Sequence, residues 1–363
     1  MDIAIIGLPQ SGKTTVFNAL TRGHSSPTGG GGPSAEMHVG VVKVPDPRLG
    51  VLAEMYQPKK VVYPEITYWD LPGEEAANQS HSIGGRHLST LQTADAYLVV
   101  VRAFTNPAVH HSLGGVDPER DLAAMLDDLA LADLEVLERA VERQADMLKK
   151  AKATERPSMT RQLEALKKVK DGIEGGIPLR QQDLSSSEAE VAGRYQLLTS
   201  NPVIVAFNTD ESGPDVTFSG LGVDPLKSKD MGQVSLCGRL EEDLGRMAEE
   251  EEQEFRQDLG LDDPATHRVI RVSYETLGLV SFLTVGDDEV RAWTVPAGLA
   301  AQEAAGTVHS DFQRGFIRAE VTPFDDLVRC GGIAQCRKEG VLRVEGKTYP
   351  VEDGDVIDFL VNV

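Results

Sequence analysis

Cysteine is scarce in this chain: 363 residues hold three, Cys237, Cys330 and Cys336. Their odd number and their spacing make neither a zinc-type pair set nor a disulfide framework, and the sparse usage suits a reducing cytoplasm, the expected location. Long apolar runs are missing too. None approaches the roughly 20 residues of a membrane span, so no membrane association is expected. Met1 leads straight into "DIAIIGLP" with no basic flank or cleavage pattern, so no signal peptide is expected. Basic charge is in deficit: 36 Lys and Arg face 57 Asp and Glu, a formal net charge of -21. That argues against the whole chain coating nucleic acid by charge alone, and no DNA partner is expected, although a local basic face stays open. What remains is ordinary for a globular protein, with 40% hydrophobic and 26% charged residues, and the length allows two or three domains.

"DIAIIGLPQSGKTTVFNALTRG" reads as strand, glycine-rich loop and helix. "EITYWDLPG", "DAYLVVVRAF" and "PVIVAFN" read as three further strands, apolar in their middles and separated by helical stretches. Such strands indicate a mainly parallel sheet covered on both faces. "SSPTGGGGPS" packs four glycines and two prolines into ten residues and is expected to hold no regular structure. Between the last two strands, Leu126, Leu129, Leu134, Leu137 and Val141 recur at three- and four-residue spacing among dense charge. A second such run, "SMTRQLEALKKVKDGIEGG", follows, and the pair predicts an antiparallel helical hairpin, either a solvated extension or a partner-binding arm. From Leu279 onward, "EVRAWTV", "GFIRAEV", "GVLRVEGKTYPV" and "DVIDFLVNV" read as half-buried strands, with "LAAQEAAGTVHSDF" helical, a small α+β domain.

"GLPQSGKT" (Gly7 to Thr14) fits G-x-x-x-x-G-K-[ST] in its strand–loop–helix context, the pattern of a phosphate-binding P-loop. Glycines let the backbone wrap a phosphate, the amides along Gln10, Ser11, Gly12, Lys13, Thr14 and Thr15 point inward, and the helix N-terminus adds positive potential. Lys13 is expected to reach the β- and γ-phosphates and Thr14 to offer its hydroxyl to Mg²⁺. "DLPG" supplies Asp70 as the second metal-side group and the Gly73 amide as a γ-phosphate sensor. Glu74 follows, where Ras-like enzymes place the Gln that orients water. "NTDES" stands where a guanine reader carries Asn-Lys-x-Asp. Asn208 survives, Thr209 removes the lysine stem that packs on the base, and Glu211 replaces the shorter carboxylate that accepts from guanine. A site that loses a paired polar contact loses discrimination steeply, so ATP is expected over GTP.

With these residues assembled, the chain resembles the YchF/Obg-like ATPase family, a branch of the translation-factor-type P-loop proteins. The resemblance runs nearly end to end and includes "GLPQSGKTTVFNALT", "YWDLPG", "DLALADLEVLERAVER", "NPVIVAFNTDE", "YETLGLVSFLTVGDDEVRAWTV", "AAGTVHSDFQRGFIRAEV" and "VEDGDVIDFLVNV". It implies a P-loop domain at residues 1–125 and 198–278, a helical coiled-coil insertion at 126–197, and a C-terminal TGS domain of ubiquitin-like β-grasp fold at 279–363. It implies ATP preference through an altered N-x-x-E, matched by Asn208 and Glu211. It places Ser34 at the switch position that reaches Mg²⁺, and Ser235 and Leu236, within "VSLC", in the base-contacting loop. His111, just before "GGVDP", falls where the family carries a histidine near the active site; His110 beside it leaves the register open. Glu74 departs from the family, which has a hydrophobic residue there.

The expected activity is Mg²⁺-dependent hydrolysis of ATP to ADP and phosphate, used as a switch. The resemblance adds the ribosome or ribosomal RNA as partner, through the TGS and helical domains. The alternatives are a nucleotide-regulated ribosome- or RNA-binding module with incidental hydrolysis, and a GTP-preferring enzyme. Phosphoryl transfer to a small molecule has less support, because no Arg-rich lid is present. Oligomeric state is not legible.

Overall fold

The computed structural model describes residues 1–24, 26–28, 37–71, 85–111, 113–211, 213, 215–261 and 263–362. Its strands, in chain order, are β1 (Asp2–Ile6), β2 (Ser26–Thr28), β3 (Met37–Lys43), β4 (Lys60–Val62), β5 (Glu65–Asp70), β6 (Ala96–Ala103), β7 (Val203–Thr209), β8 (Met231–Leu236), β9 (Leu279–Val285), β10 (Glu289–Pro296), β11 (Phe316–Pro323), β12 (Arg343–Glu345) and β13 (Asp355–Val361). The chain divides into two compact units, residues 1–41 with 67–272, and residues 42–66 with 273–363.

The first unit is built on a seven-stranded sheet of order β2-β3-β5-β1-β6-β7-β8. β1 lies between β5 and β6 and is parallel to both; β6, β7 and β8 continue the parallel run. Every residue of β7 is buried, as is β6 from Ala96 to Arg102, which is what strands covered on both faces require. The chain visits β5 on one side of β1 and then β6 on the other. The loop after β1 therefore opens at the point where the strand order reverses, the usual ligand crevice of an open α/β sheet. One expectation fails at the edge. Ser26–Thr28 of "SSPTGGGGPS" is a short strand antiparallel to β3, and Pro27 sits at an edge position that tolerates a missing donor.

The helical hairpin forms as its spacing predicts, with helices Pro118–Lys150 and Arg156–Glu174. Asp117 caps the first by accepting from the Arg120 amide at 3.1 Å, and Pro118 occupies the first turn. Glu119 and Asp121 sit in its first turn and Lys149 and Lys150 in its last, matching the helix dipole. Leu122, Met125 and Leu129 of this helix pack into the core beneath β6 and β7, and Leu137 and Ala140 pack with Leu166, Val169 and Ile173 of the return helix. A boundary between residues 125 and 126 therefore falls inside one continuous helix. The buried Asp133 carboxylate accepts from the Leu198 and Thr199 amides at 2.6 and 2.8 Å and ties the hairpin to the entry of β7. Burial raises its pKa, and those amide bonds oppose the shift.

The second unit is a six-stranded mixed sheet of order β12-β11-β13-β9-β10-β4. β9 and β10 form an antiparallel hairpin, β13 lies parallel to β9, and β11 is antiparallel to both β13 and β12. Residues 42–66, which the sequence reading keeps with the nucleotide domain, supply a helix (Pro47–Tyr56) and the edge strand β4, parallel to β10. Leu49 and Leu52 pack with Leu283, Val290 and Val356, and Arg48 bridges Asp46 and Asp353 at 2.8 Å each. The stretch read as one helix, "LAAQEAAGTVHSDF", breaks at His309 into Ala301–Val308 and Ser310–Arg314, with His309 Nδ1 accepting from the Asp311 amide. No helix among the described residues is long and apolar enough to cross a membrane.

Candidate nucleotide site

The phosphate loop joins β1 to the helix Lys13–Thr21. Gly12 holds φ at 92°, and a Cβ there would lie 2.2 Å from Asn208 Nδ2. At Gly7 a Cβ would lie 2.4 Å from the Val100 carbonyl oxygen of β6. Both motif glycines are thus fixed by close approach of a neighbouring strand. Gln10 also takes a positive φ, 62°, at the exposed apex of the loop. The helix has no side-chain cap, so its first amides, through Thr15, keep their donors for a ligand.

The Lys13 ammonium folds over this loop and donates to the carbonyls of Gly7 (2.8 Å) and Leu8 (3.0 Å). Burial lowers its pKa to about 8, and the Asp70 carboxylate opposes the shift. The Thr14 hydroxyl donates to Asp70 Oδ2 at 2.9 Å, which brings together the two metal-side residues from positions 56 apart in sequence. Burial raises the Asp70 pKa, against the Thr14 hydrogen bond, Lys13 and then His38, which acts on it from β3 and which sequence reading missed. Among the described residues, Asp70 Oδ1 is buried without a hydrogen-bond partner, and so is Ser11 Oγ. A buried carboxylate oxygen is seldom left unpaired, because desolvating it without a partner is costly. Among the described residues no cluster of three His, Cys, Asp or Glu could hold a metal. Mg²⁺ takes hard oxygen donors such as a carboxylate, a hydroxyl, phosphate oxygens and water. Thr14 and Asp70 fit such an ion.

Asn208 and Thr209 close β7 and are buried. The Asn208 side chain works as a strut: Nδ2 donates to the Ser11 carbonyl, and Oδ1 accepts from the Gly238 amide, both at 3.0 Å. It thereby links the phosphate loop to the segment after β8. Ser235 and Leu236 lie in β8, beside Phe207 and Asn208, rather than in a loop. Both are buried, and the Ser235 hydroxyl accepts from the Val216 amide at 3.2 Å, so strand pairing rather than loop freedom fixes this end of "VSLC". Glu211 is exposed, and its charge, behind burial as the main cause, helps hold the Cys237 thiol above its usual pKa. Asp210 accepts from the Thr105 amide and hydroxyl at 3.0 and 3.1 Å and ties the end of β7 to the segment after β6.

His111 is placed at the root of the hairpin. Nδ1 accepts from the Leu113 amide at 3.1 Å, which leaves the proton on Nε2 to donate to the buried Asp121 carboxylate at 2.8 Å. Arg120 Nη2 reaches the other Asp121 oxygen at 2.7 Å. Both ring nitrogens are engaged within this cluster, whereas His110 is exposed. Ser34, Gly73 and Glu74 lie outside the described residues.

Two family models match the chain: one described as a 50S ribosome-binding GTPase over residues 2–137, and one named for the C-terminal part of YchF GTPases and described as a protein of unknown function over residues 279–362. The ribosome-binding ATPase YchF of Bacillus subtilis is 35% identical over 100% of both chains. Its Escherichia coli namesake is 37% identical over 99% of this chain and 98% of its own length. The solved structure of the Schizosaccharomyces pombe YchF GTPase superposes with a TM-score of 0.83 at 28% identity, covering 99% of this chain and 97% of that one. Full-length identity above 30%, a shared fold over the whole chain, and a phosphate loop joined to Asp70 and Asn208 lead to one conclusion: the chain belongs to the YchF family.

Proposed function

We propose that this chain is a Mg²⁺-dependent hydrolase that converts ATP to ADP and phosphate and uses nucleotide occupancy to control association with the ribosome. The observation that carries the reading is the Thr14–Asp70 pair beside Lys13, with Asp70 Oδ1 unpartnered among the described residues. The Lys13 ammonium exchanges its two loop carbonyls for β- and γ-phosphate oxygens, and the amides from Gln10 to Thr15 cradle the rest. Thr14 and Asp70 would hold the metal, with Ser34 joining them from the switch segment, and the bound Mg²⁺ would neutralise the charge that develops on the transferring phosphoryl group. The Gly73 amide reports the γ-phosphate. Glu74 or His111 orients the attacking water, and His111 does so only by leaving Asp121 and the Leu113 amide.

The name that the bacterial relatives carry supports both ATP hydrolysis and ribosome binding. The proposed functional division is a nucleotide domain, a helical insertion and a C-terminal β-grasp TGS module, with residues 42–66 folding with the last rather than the first. The mixed sheet with Ala301, Ala304 and Ala305 packed into its core supports that module. The cytoplasm is the proposed location. One observation favours GTP instead: the fission-yeast relative is named a GTPase. The test is multiple-turnover phosphate release from ATP and from GTP, with Mg²⁺ and with chelator. Release that requires Mg²⁺ and runs faster from ATP is expected. No release from either nucleotide would remove the hydrolase reading. A loss of at least tenfold in His111→Ala with Glu74→Ala unchanged would assign water positioning to the histidine.

A further inference from the structure

We propose that a groove at the root of the helical hairpin takes an amphipathic helix with basic flanks from a partner protein. The groove lies wholly within the first compact unit and has a volume of about 620 Å³. Its floor is apolar. Ala123, Leu126, Ala130 and Leu134 come from the long helix Pro118–Lys150, Val223 from the connection between β7 and β8, and Met231 from β8. The four helix positions recur at three- and four-residue spacing, so they form one stripe. From Glu119 to Leu134 the groove follows the helix for about 22 Å, or four turns. None of these residues belongs to the nucleotide site.

The groove exists because one connection is short of helix. Parallel neighbours such as β7 and β8 are normally joined by a crossover helix that covers the face of the sheet. β1 is followed by the nine-residue helix Lys13–Thr21, and β6 by the hairpin. Between β7 and β8, by contrast, the described residues hold two helices of four residues each, Phe218–Leu221 and Pro225–Ser228. Phe218 is buried edge-on against Phe207 of β7, with ring centroids 5.8 Å apart. The strip between this connection and the long helix stays open. An apolar strip of that length, beside one helix and the edge of a parallel sheet, has the shape of a seat for a further helix.

The rim sets the charge of the occupant. Glu119, Asp127, Glu174 and Asp224 stand exposed around the groove. Arg180 is the one basic residue lining it among the described residues, and it is taken up by Asp230 and the Thr199 carbonyl. Such a rim attracts Lys and Arg on the flanks of an incoming helix and repels phosphate, which sets a nucleic acid aside. A small metabolite asks for several polar groups that converge on it, whereas the side chains of this floor carry no hydrogen-bonding groups of that kind. An apolar stripe between acidic edges matches a helix with anchors at i, i+3, i+4 and i+7 and basic flanks.

The test uses the full chain and three synthetic helical peptides of equal length. The first carries a leucine stripe at helical spacing flanked by Lys, the second the same stripe flanked by Glu, and the third scrambles the first so that the stripe is lost. Ala130→Trp fills the floor of the groove, and Ala123→Trp fills it from an exposed position, so that one variant remains informative if the other melts early. Glu119→Gln with Asp127→Lys weakens the rim. Binding is read by fluorescence anisotropy over a salt series, with circular dichroism and the melting temperature as controls. The proposal expects the striped Lys peptide to bind and the other two not to bind. Its affinity should fall at least tenfold in each folded Trp variant, and its salt dependence should flatten in the rim variant. No binding of the striped Lys peptide would overturn the proposal, and so would tighter binding of the Glu-flanked one. Equal binding of the scrambled peptide, or undiminished binding by the Trp variants, would overturn it too, because charge alone would then suffice. A wild-type dimer in sedimentation that the Trp variants dissolve would give the groove to a second copy of this chain and remove the partner helix.

Discussion

The two ends of the nucleotide site are built on different principles. At the phosphate end, close approach leaves no freedom. Gly7 is pressed against the β6 backbone and Gly12 against Asn208, Thr14 reaches Asp70 at hydrogen-bond distance, and Lys13 is held on the loop carbonyls of Gly7 and Leu8. At the base end, one carboxylate, Glu211, stands exposed, and Ser235 and Leu236 are taken up by strand pairing. A phosphate is recognised by backbone amides that any sequence possesses, provided that glycines let them converge. A base is recognised by individual side chains, which one substitution alters. The phosphate end therefore keeps the general P-loop pattern, and the base end is where we propose that this chain sets its own preference. Asn208 is the strut between them.

Removing the phosphate end's cation is expected to have the largest effect. Lys13→Ala should weaken ATP and GTP alike by at least ~100-fold, about 2.7 kcal/mol, with the circular dichroism spectrum unchanged. Equal loss for both nucleotides would sharpen the contrast between the two ends, and a loss confined to ATP would break it. The same ammonium gives a pH signature. Its pKa is lowered from 10.5 to about 8, so the free protein sheds this proton as pH rises through 8, and a bound triphosphate draws the proton back. Nucleotide binding should therefore take up protons between about pH 8 and 10, and affinity should decline over that window. The fold without nucleotide gains stability there, because the unfolded chain holds the proton that the folded chain has lost. Calorimetry at pH 8.5 in buffers of different ionisation enthalpy should show the uptake in the wild type and none in Lys13→Ala.

Breaking the strut comes next. Asn208→Ala leaves the Ser11 carbonyl and the Gly238 amide without this partner, about 1–3 kcal/mol of lost stability. A lower melting temperature is expected, with weaker binding of both nucleotides and little change in their ratio. A changed ratio with no loss of stability would make Asn208 a base reader instead of a strut. The smallest effect is expected at the base itself. Glu211→Asp with Thr209→Lys should shift relative affinity toward GTP, against a wild-type ATP preference of about 5–30-fold, or 1–2 kcal/mol. Competition binding measures both. Tighter GTP than ATP binding in the wild type would reverse the base assignment and leave the phosphate loop untouched.

Legibility followed the range of the physics involved. "GLPQSGKT" encodes its loop locally, through glycine and a helix start, so its place after β1 could be read directly. The leucine spacing from Leu126 to Leu137 likewise announced the hairpin. His38 was not legible, because only strand pairing brings β3 toward Asp70. Nor was the engagement of His111 by Asp121, which depends on how the loop folds back on the first turn of the long helix. Residues 42–66 were read as part of the nucleotide domain since they lie between two of its motifs. Their partners, Leu283, Val290 and Val356, stand more than 200 positions later, and no local pattern announces them.

By itself, then, the sequence determined the phosphate loop, the parallel strands and the hairpin, because each arises from backbone freedom or side-chain periodicity within a few turns of chain. Only the tertiary structure decided that Asp70 keeps an oxygen unpartnered among the described residues and that Asn208 spans from Ser11 to Gly238. Those outcomes depend on which distant groups are buried together, and burial is a property of the assembled fold rather than of any stretch of the chain.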